Sequence, residues 1–209
     1  MRTRCNFIPT TYIFYPLIRS NQRAFVNFAF YFLIMNKSIS AIIIALLMTV
    51  SGSAQDQFQV SSERPNEKTY KGIISRDVLI ADSSFKWMNY GRNFSADKNA
   101  VEGLKKNKDS IQLLVFMGTW CEDSQNIIPK FYSMTDAAGF SPDRITLIGV
   151  DRKKKTFSHL TEALGIINVP TIMVMKNGKE VGRVVEYGKY GMFDKELGEI
   201  INSIGSVSH

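Results

Sequence analysis

Apolar and polar positions alternate along the second half of the chain in two distinct periods. Ile111–Met117 is apolar apart from Gln112, the mark of a strand buried on both faces. Ile145–Val150 and Thr171–Met175 repeat that pattern, and Glu180–Glu186 reads as a fourth strand after the two-residue turn Asn177-Gly178. Between them the period lengthens. Cys121–Ala138 places Ile127, Ile128, Phe131 and Met134 on one side, which predicts a helix. Phe157–Leu164 predicts a short helix closed by Gly165 in the C′ position. Phe193–Ile204 predicts a last helix with Phe193, Leu197, Ile200, Ile201 and Ile204 inward.

The signals before residue 111 are weaker. Asp77–Ala81 reads as a short strand. Asp82 or Ser83 can cap a helix over Phe85, Trp87 and Met88, and Ser95–Lys98 can open another with Ala100, Val101 and Leu104 on one face. From Ile111 onward the order is β-α-β-α-β-β-α. Strands separated by helices imply parallel pairing, with one antiparallel edge from the hairpin. The expected class is a three-layer mixed α/β fold.

Upstream, the pattern is that of a targeting segment. Met35-Asn36-Lys37 precedes an apolar run, Ile39–Val50, broken only by Ser40 and Thr49, and Ser51-Gly52-Ser53-Ala54 follows. A positive start, an apolar middle and small residues at the end make 35–54 a signal peptide cut after Ala54. The run is too short to cross an apolar layer of about 30 Å comfortably. No cysteine follows it to carry a lipid. Residues 1–34 are rich in aromatics and Asn without clear periodicity. They read as an untranslated or disordered extension, with Met35 the better start. The competing reading joins Ala24–Met35 and Ile39–Val50 into a membrane anchor interrupted by Asn36-Lys37-Ser38. On either reading the folded part is exported, to a periplasmic or extracellular location. Residues 55–70 are polar and read as a linker, which leaves 71–209 for the folded domain.

Charge changes this picture little. The net charge is +7, and residues 1–54 hold Arg2, Arg4, Arg19, Arg23 and Lys37 with no acid. Most of the excess is therefore outside the folded part, and no nucleic-acid partner is expected. Arg152-Lys153-Lys154-Lys155 is the one dense basic run and reads as a solvated loop. No Gly-rich phosphate loop and no serine-hydrolase elbow is seen. His159 and His209 are too isolated for a metal site, and nothing calls for a cofactor.

The chemistry rests on Cys121. Cys5 is the only other cysteine, and it precedes the signal segment. The predicted strand-to-helix junction puts Cys121 at a helix amino terminus, where unpaired N–H groups and the positive end of the dipole favour a thiolate. Glu122 and Asp123 suit a helix start but repel that thiolate, so the two effects offset. The inert alternative is a core cysteine.

Five features in order resemble the thioredoxin family: Phe116-Met117-Gly118-Thr119-Trp120-Cys121, Ser124, Pro129, Val169-Pro170-Thr171 and Lys176-Asn177-Gly178. The resemblance covers roughly Ile111–Ile204. It implies a thioredoxin-like three-layer α/β/α sandwich with a central mixed sheet. It also implies that Ser124 stands at the second redox position, that Pro129 kinks the active-site helix, and that Val169-Pro170 is the cis-proline element facing the thiol. Trp120, Val169 and Pro170 then form the substrate face, with the Val169 backbone pairing an extended chain and Ser124 donating its hydroxyl to the sulfur. Two departures matter. Ser124 replaces the resolving cysteine, and Val115 stands where the family keeps a buried acid, so proton relay falls to Asp123 or water. The expected activity is monothiol thiol-disulfide exchange, as a reductase or isomerase, on protein or small-molecule thiols and disulfides. The alternatives are a redox-inactive peptide-binding or adaptor module and a carrier of small thiols resembling monothiol glutaredoxins.

Overall fold

The computed structural model describes residues 57–204. The readings for residues 1–54, with Cys5, and for His209 lie outside the described residues. Six strands form one sheet: β1 Phe58–Ser61, β2 Thr69–Ile74, β3 Ile111–Met117, β4 Ile145–Gly149, β5 Thr171–Lys176 and β6 Lys179–Val185. Five α-helices accompany it: α1 Arg76–Ala81, α2 Lys98–Asn107, α3 Glu122–Ala137, α4 Leu160–Ala163 and α5 Phe193–Ser203. Short 3-10 helices at Lys86–Gly91, Pro142–Arg144 and Phe157–His159 complete the chain.

The strand order is β1-β2-β4-β3-β5-β6. β3 and β4 are parallel, as a crossover through α3 requires. β5 runs antiparallel to β3, and β6 antiparallel to β5. The inference that helix-separated strands pair in parallel thus fails at β5. The 3-10 turn and four-residue α4 form a connection that returns the chain in the opposite sense.

β3 explains why the sheet is central. Ile111, Leu113, Val115 and Met117 point into one apolar layer, while Leu114 and Phe116 point into the other. The larger layer receives Leu79 of α1, Leu104 of α2, Phe131 of α3 and Leu197 of α5. The smaller receives Leu160 and Leu164 from α4 and its end. The architecture is therefore a thioredoxin-like α/β fold with a mixed sheet between helices.

Two amino-terminal readings are corrected. Asp77–Ala81 is helical, because the Ser75 side chain accepts the Val78 N–H and caps α1, and Asp77 sits in its first turn. Residues 55–70 are not a plain linker. Phe58–Ser61 pairs antiparallel with Thr69–Gly72, and that pairing makes β1 and β2 a hairpin on the sheet edge. Close backbone contact fixes the hairpin in place: a Cβ on Gly149 of β4 would collide with the Tyr70 carbonyl.

Glycine also lets the helices close up. A Cβ on Gly198 of α5 would lie 2.8 Å from the Ala100 nitrogen of α2. No helix among the described residues is long and apolar enough to cross a membrane.

Candidate active site

The turn from β3 into α3 is held by its own backbone, by a side chain of α3 and by the β1–β2 hairpin. The Cys121 N–H donates to the Gly118 carbonyl at 3.0 Å, and the Gln125 N–H to the Cys121 carbonyl at 2.9 Å. The Gln125 side chain donates to the Thr119 carbonyl at 2.8 Å. Thr119 is buried. Its hydroxyl donates to the Lys68 carbonyl at 2.8 Å and accepts the Tyr70 N–H at 3.2 Å. The β1–β2 hairpin therefore braces the residue two before the cysteine.

Cys121 is the N-cap residue of α3, with extended backbone (φ −93°, ψ 123°). The residue is half-buried and is the only free cysteine among the described residues. The Val169–Pro170 peptide bond is cis. The Cys121 thiol donates to the Val169 carbonyl with Sγ···O 3.2 Å. Trp120 packs in the same apolar cluster as Val169, and its indole N–H donates to the Val150 carbonyl at 2.9 Å. The indole lies over Gly118, where a Cβ would meet ring atoms at 2.7 Å. Trp120, Cys121 and Val169 thus meet in one cluster beside the cis bond, with Val169 and Pro170 themselves buried.

Ser124 does not join them. It is fully buried, and its Oγ accepts the Gly118 N–H at 3.2 Å. The hydroxyl-to-sulfur bond expected from its helical spacing is replaced by this inward contact. One turn along α3 brings Ser124 under the strand end. Val115 is fully buried in the larger core, so that position holds no proton.

Three neighbours were not legible as site residues. Arg152, read as part of a solvated loop, lies 5.1 Å above the Trp120 ring and forms a two-pronged pair with Glu67. Glu67 falls in the stretch read as linker. Tyr187, which follows β6, packs against the core; burial raises its phenol above the usual value, and the charge of Asp123 adds to that. None of the three has a local sequence signal, since each reaches the site from a different connection. Lys154 also reaches in, donating to the Asn168 side chain at 3.1 Å. No group of three or more His, Cys, Asp or Glu able to hold a metal occurs among the described residues.

The family model described as Thioredoxin matches residues 94–197. A thioredoxin of Echinococcus granulosus is 27% identical over 96 residues, covering 46% of this chain and 83% of that protein. Among solved structures, the chain is similar to a Schistosoma mansoni thioredoxin (TM-score 0.34, 24% identity, 53% of this chain and 93% of that one). It is also similar to an HIV epitope scaffold (TM-score 0.45, 16% identity, 64% and 93%). Residues 94–197 thus match the thioredoxin family, and this likeness supports thiol-disulfide redox chemistry in general.

Proposed function

We propose that this domain carries out monothiol thiol-disulfide exchange on protein disulfides, as a reductase or isomerase, with Cys121 as the nucleophile. The observation that carries the reading is a half-buried cysteine, the only one among the described residues, at a helix amino terminus with its sulfur 3.2 Å from the carbonyl that precedes a cis proline.

The Cys121 thiolate attacks one sulfur of a substrate disulfide. A Cys121–substrate S–S bond forms, the substrate S–S bond breaks, and the second substrate sulfur leaves as a thiolate. Ser124 cannot resolve this intermediate. A second thiolate, from the substrate or from an external thiol, attacks the mixed disulfide, and Cys121 leaves as the thiolate. Electrons come from thiols throughout, so the cycle needs no cofactor.

Ionisation also prepares the docking edge. The neutral thiol occupies the Val169 carbonyl. Once its proton is gone the sulfur cannot donate, and the carbonyl is free to accept an N–H from an extended substrate segment. Trp120, packed in the same cluster as Val169, and the exposed Ile167, two residues before Val169, supply apolar surface for such a segment.

The proposed location is exported, periplasmic or extracellular. It follows from reading 35–54 as a cleaved signal peptide, and mass spectrometry of the native amino terminus tests it.

Partner trapping in the exported fraction tests the activity. Covalent, reductant-sensitive adducts are expected on wild type and absent from Cys121→Ala. No adduct, together with equal disulfide-exchange rates for the two proteins, removes the reading. The peptide-binding module then remains. It is favoured by the inward turn of Ser124 and the apolar Val115, neither of which serves turnover.

A further inference from the structure

The loop after β4 is built more rigidly than a solvated basic run requires. The Asp151 carboxylate accepts the N–H groups of Lys153 and Lys155, both at 2.9 Å, and takes the Lys71 ammonium at 2.9 Å. The Asp151 N–H donates to the Lys155 carbonyl, and the Lys154 N–H to the Asp151 carbonyl. Lys154 closes the turn in the left-handed region (φ 59°), a conformation a non-glycine residue holds only where its surroundings impose it. The turn fixes the direction in which Arg152 leaves the chain.

Arg152 is then held at both ends. Its Nε donates to Glu67 Oε1 at 2.9 Å and its NH2 group to Glu67 Oε2. Its guanidinium carbon sits 5.1 Å above the Trp120 ring, a stacked cation–π arrangement. Trp120 is the immediate neighbour of Cys121. The hydrogen bonds of Glu67 are the main cause that raises Arg152 above its ordinary value, with the charges of Glu67, Glu63 and the Cys121 sulfur adding to it. The charged and titratable groups around Cys121 are Glu122 and Asp123 at the start of α3, Tyr187 after β6, and, after β4, Arg152 with Glu67 and Glu63 behind it and Lys154 on Asn168. Arg152 and Lys154 carry the positive charge, and Arg152 is the one laid over Trp120, next to Cys121.

We propose that Arg152 is a positioning residue for Cys121: clamped by Glu67 and laid over Trp120, it keeps a positive charge beside the sulfur that offsets Glu122 and Asp123 and favours the reactive thiolate. This deepens the proposed function and rests on Cys121 being the reacting sulfur. Glu67 lies on the amino-terminal hairpin, outside the family-matched region, so the clamp is an addition of this chain to the matched domain.

The test is the pH profile of Cys121 alkylation by iodoacetamide, a neutral probe, on the full chain. The Cys121 peptide is followed by mass spectrometry so that Cys5 is read separately. Wild type, Arg152→Met and Arg152→Lys are compared from about pH 6 to about pH 10, the span over which thiols ionise. Arg152→Met is expected to slow the reaction about three- to tenfold near neutrality and to converge with wild type at high pH. Arg152→Lys restores the charge and recovers most of the rate. Superposed profiles for Arg152→Met and wild type overturn the proposal. So does a slowing that is equal at every pH, which reports lost packing on Trp120 and not charge. A charge effect of the expected form in a protein that captures no disulfide keeps this assignment and removes the exchange reading.

Discussion

At the start of α3 a single inward hydrogen bond, from the Gly118 N–H to Ser124, ties the helix to the end of β3. A serine three residues after the cysteine has the helical spacing to reach the sulfur, yet its Oγ is fully buried and accepts the Gly118 N–H. It braces the strand-to-helix junction. Ser124→Ala leaves a buried N–H without its acceptor, which costs about 1–2 kcal/mol. Urea denaturation is expected to show that loss while Cys121 alkylation stays nearly unchanged. Had Ser124 donated to the sulfur, the alkylation profile would move with the substitution. Arg152 shows the converse. Its neighbours Lys153, Lys154 and Lys155 made it look like one charge in a solvated run, because sequence neighbours carry no information about Glu67 or Trp120.

At the scale of elements, α3 determines where the sulfur sits, and its proline is one of its points of contact with the rest of the fold. Pro129 lacks the N–H that would bond to the Gln125 carbonyl, so the helix is weakened at that turn. The 3-10 helix Lys86–Gly91 packs directly there, and a Cβ on Gly91 would overlap the Pro129 carbonyl. The obstacle is backbone, which cannot rotate away. Gly91→Ala is expected to destabilise by about 1–3 kcal/mol in chemical denaturation, the usual range for overpacking. Long periodic elements such as β3, α3 and α5 were legible because each shows its apolar face several times over. Asp77–Ala81 was not. Five residues fit either period, and the deciding signal was the Ser75 cap just outside them.

At the scale of the molecule, the β1–β2 hairpin joins the sheet edge to the site. It supplies the Lys68 carbonyl and Tyr70 N–H to Thr119, and Glu67 to Arg152. Asp82, after α1, anchors it: one carboxylate oxygen takes the Lys68 ammonium at 2.8 Å and the Tyr70 hydroxyl at 2.9 Å, and the other takes the Ser84 N–H. The Lys68 hydrogen bond, then that from the Ser84 backbone, holds the Asp82 carboxyl well below the usual carboxylate range. A depressed folded value means that this stabilisation is complete above the unfolded value of about 3.9 and is lost as pH falls through the folded value. Asp82→Asn should therefore lower stability by about 1 kcal/mol at neutral pH and by progressively less in acid. Urea titrations at a series of pH values check this, and a parallel offset between the two proteins at every pH would contradict it.

What the sequence by itself determined is whatever repeats along the chain or sits at fixed spacing: the buried strands, the amphipathic helices, the lone cysteine at a strand-to-helix junction, and the proline element downstream. Periodicity and spacing are local quantities, and burial of the apolar face enforces them. The tertiary structure alone decided that β5 runs antiparallel to β3, that the stretch read as linker is a strand pair, that Ser124 faces inward, and that Glu67, Arg152 and Trp120 stack beside the sulfur. Those contacts join residues up to 85 positions apart. No pattern within one segment can encode them, because each exists only once the sheet has brought its separate connections to one end.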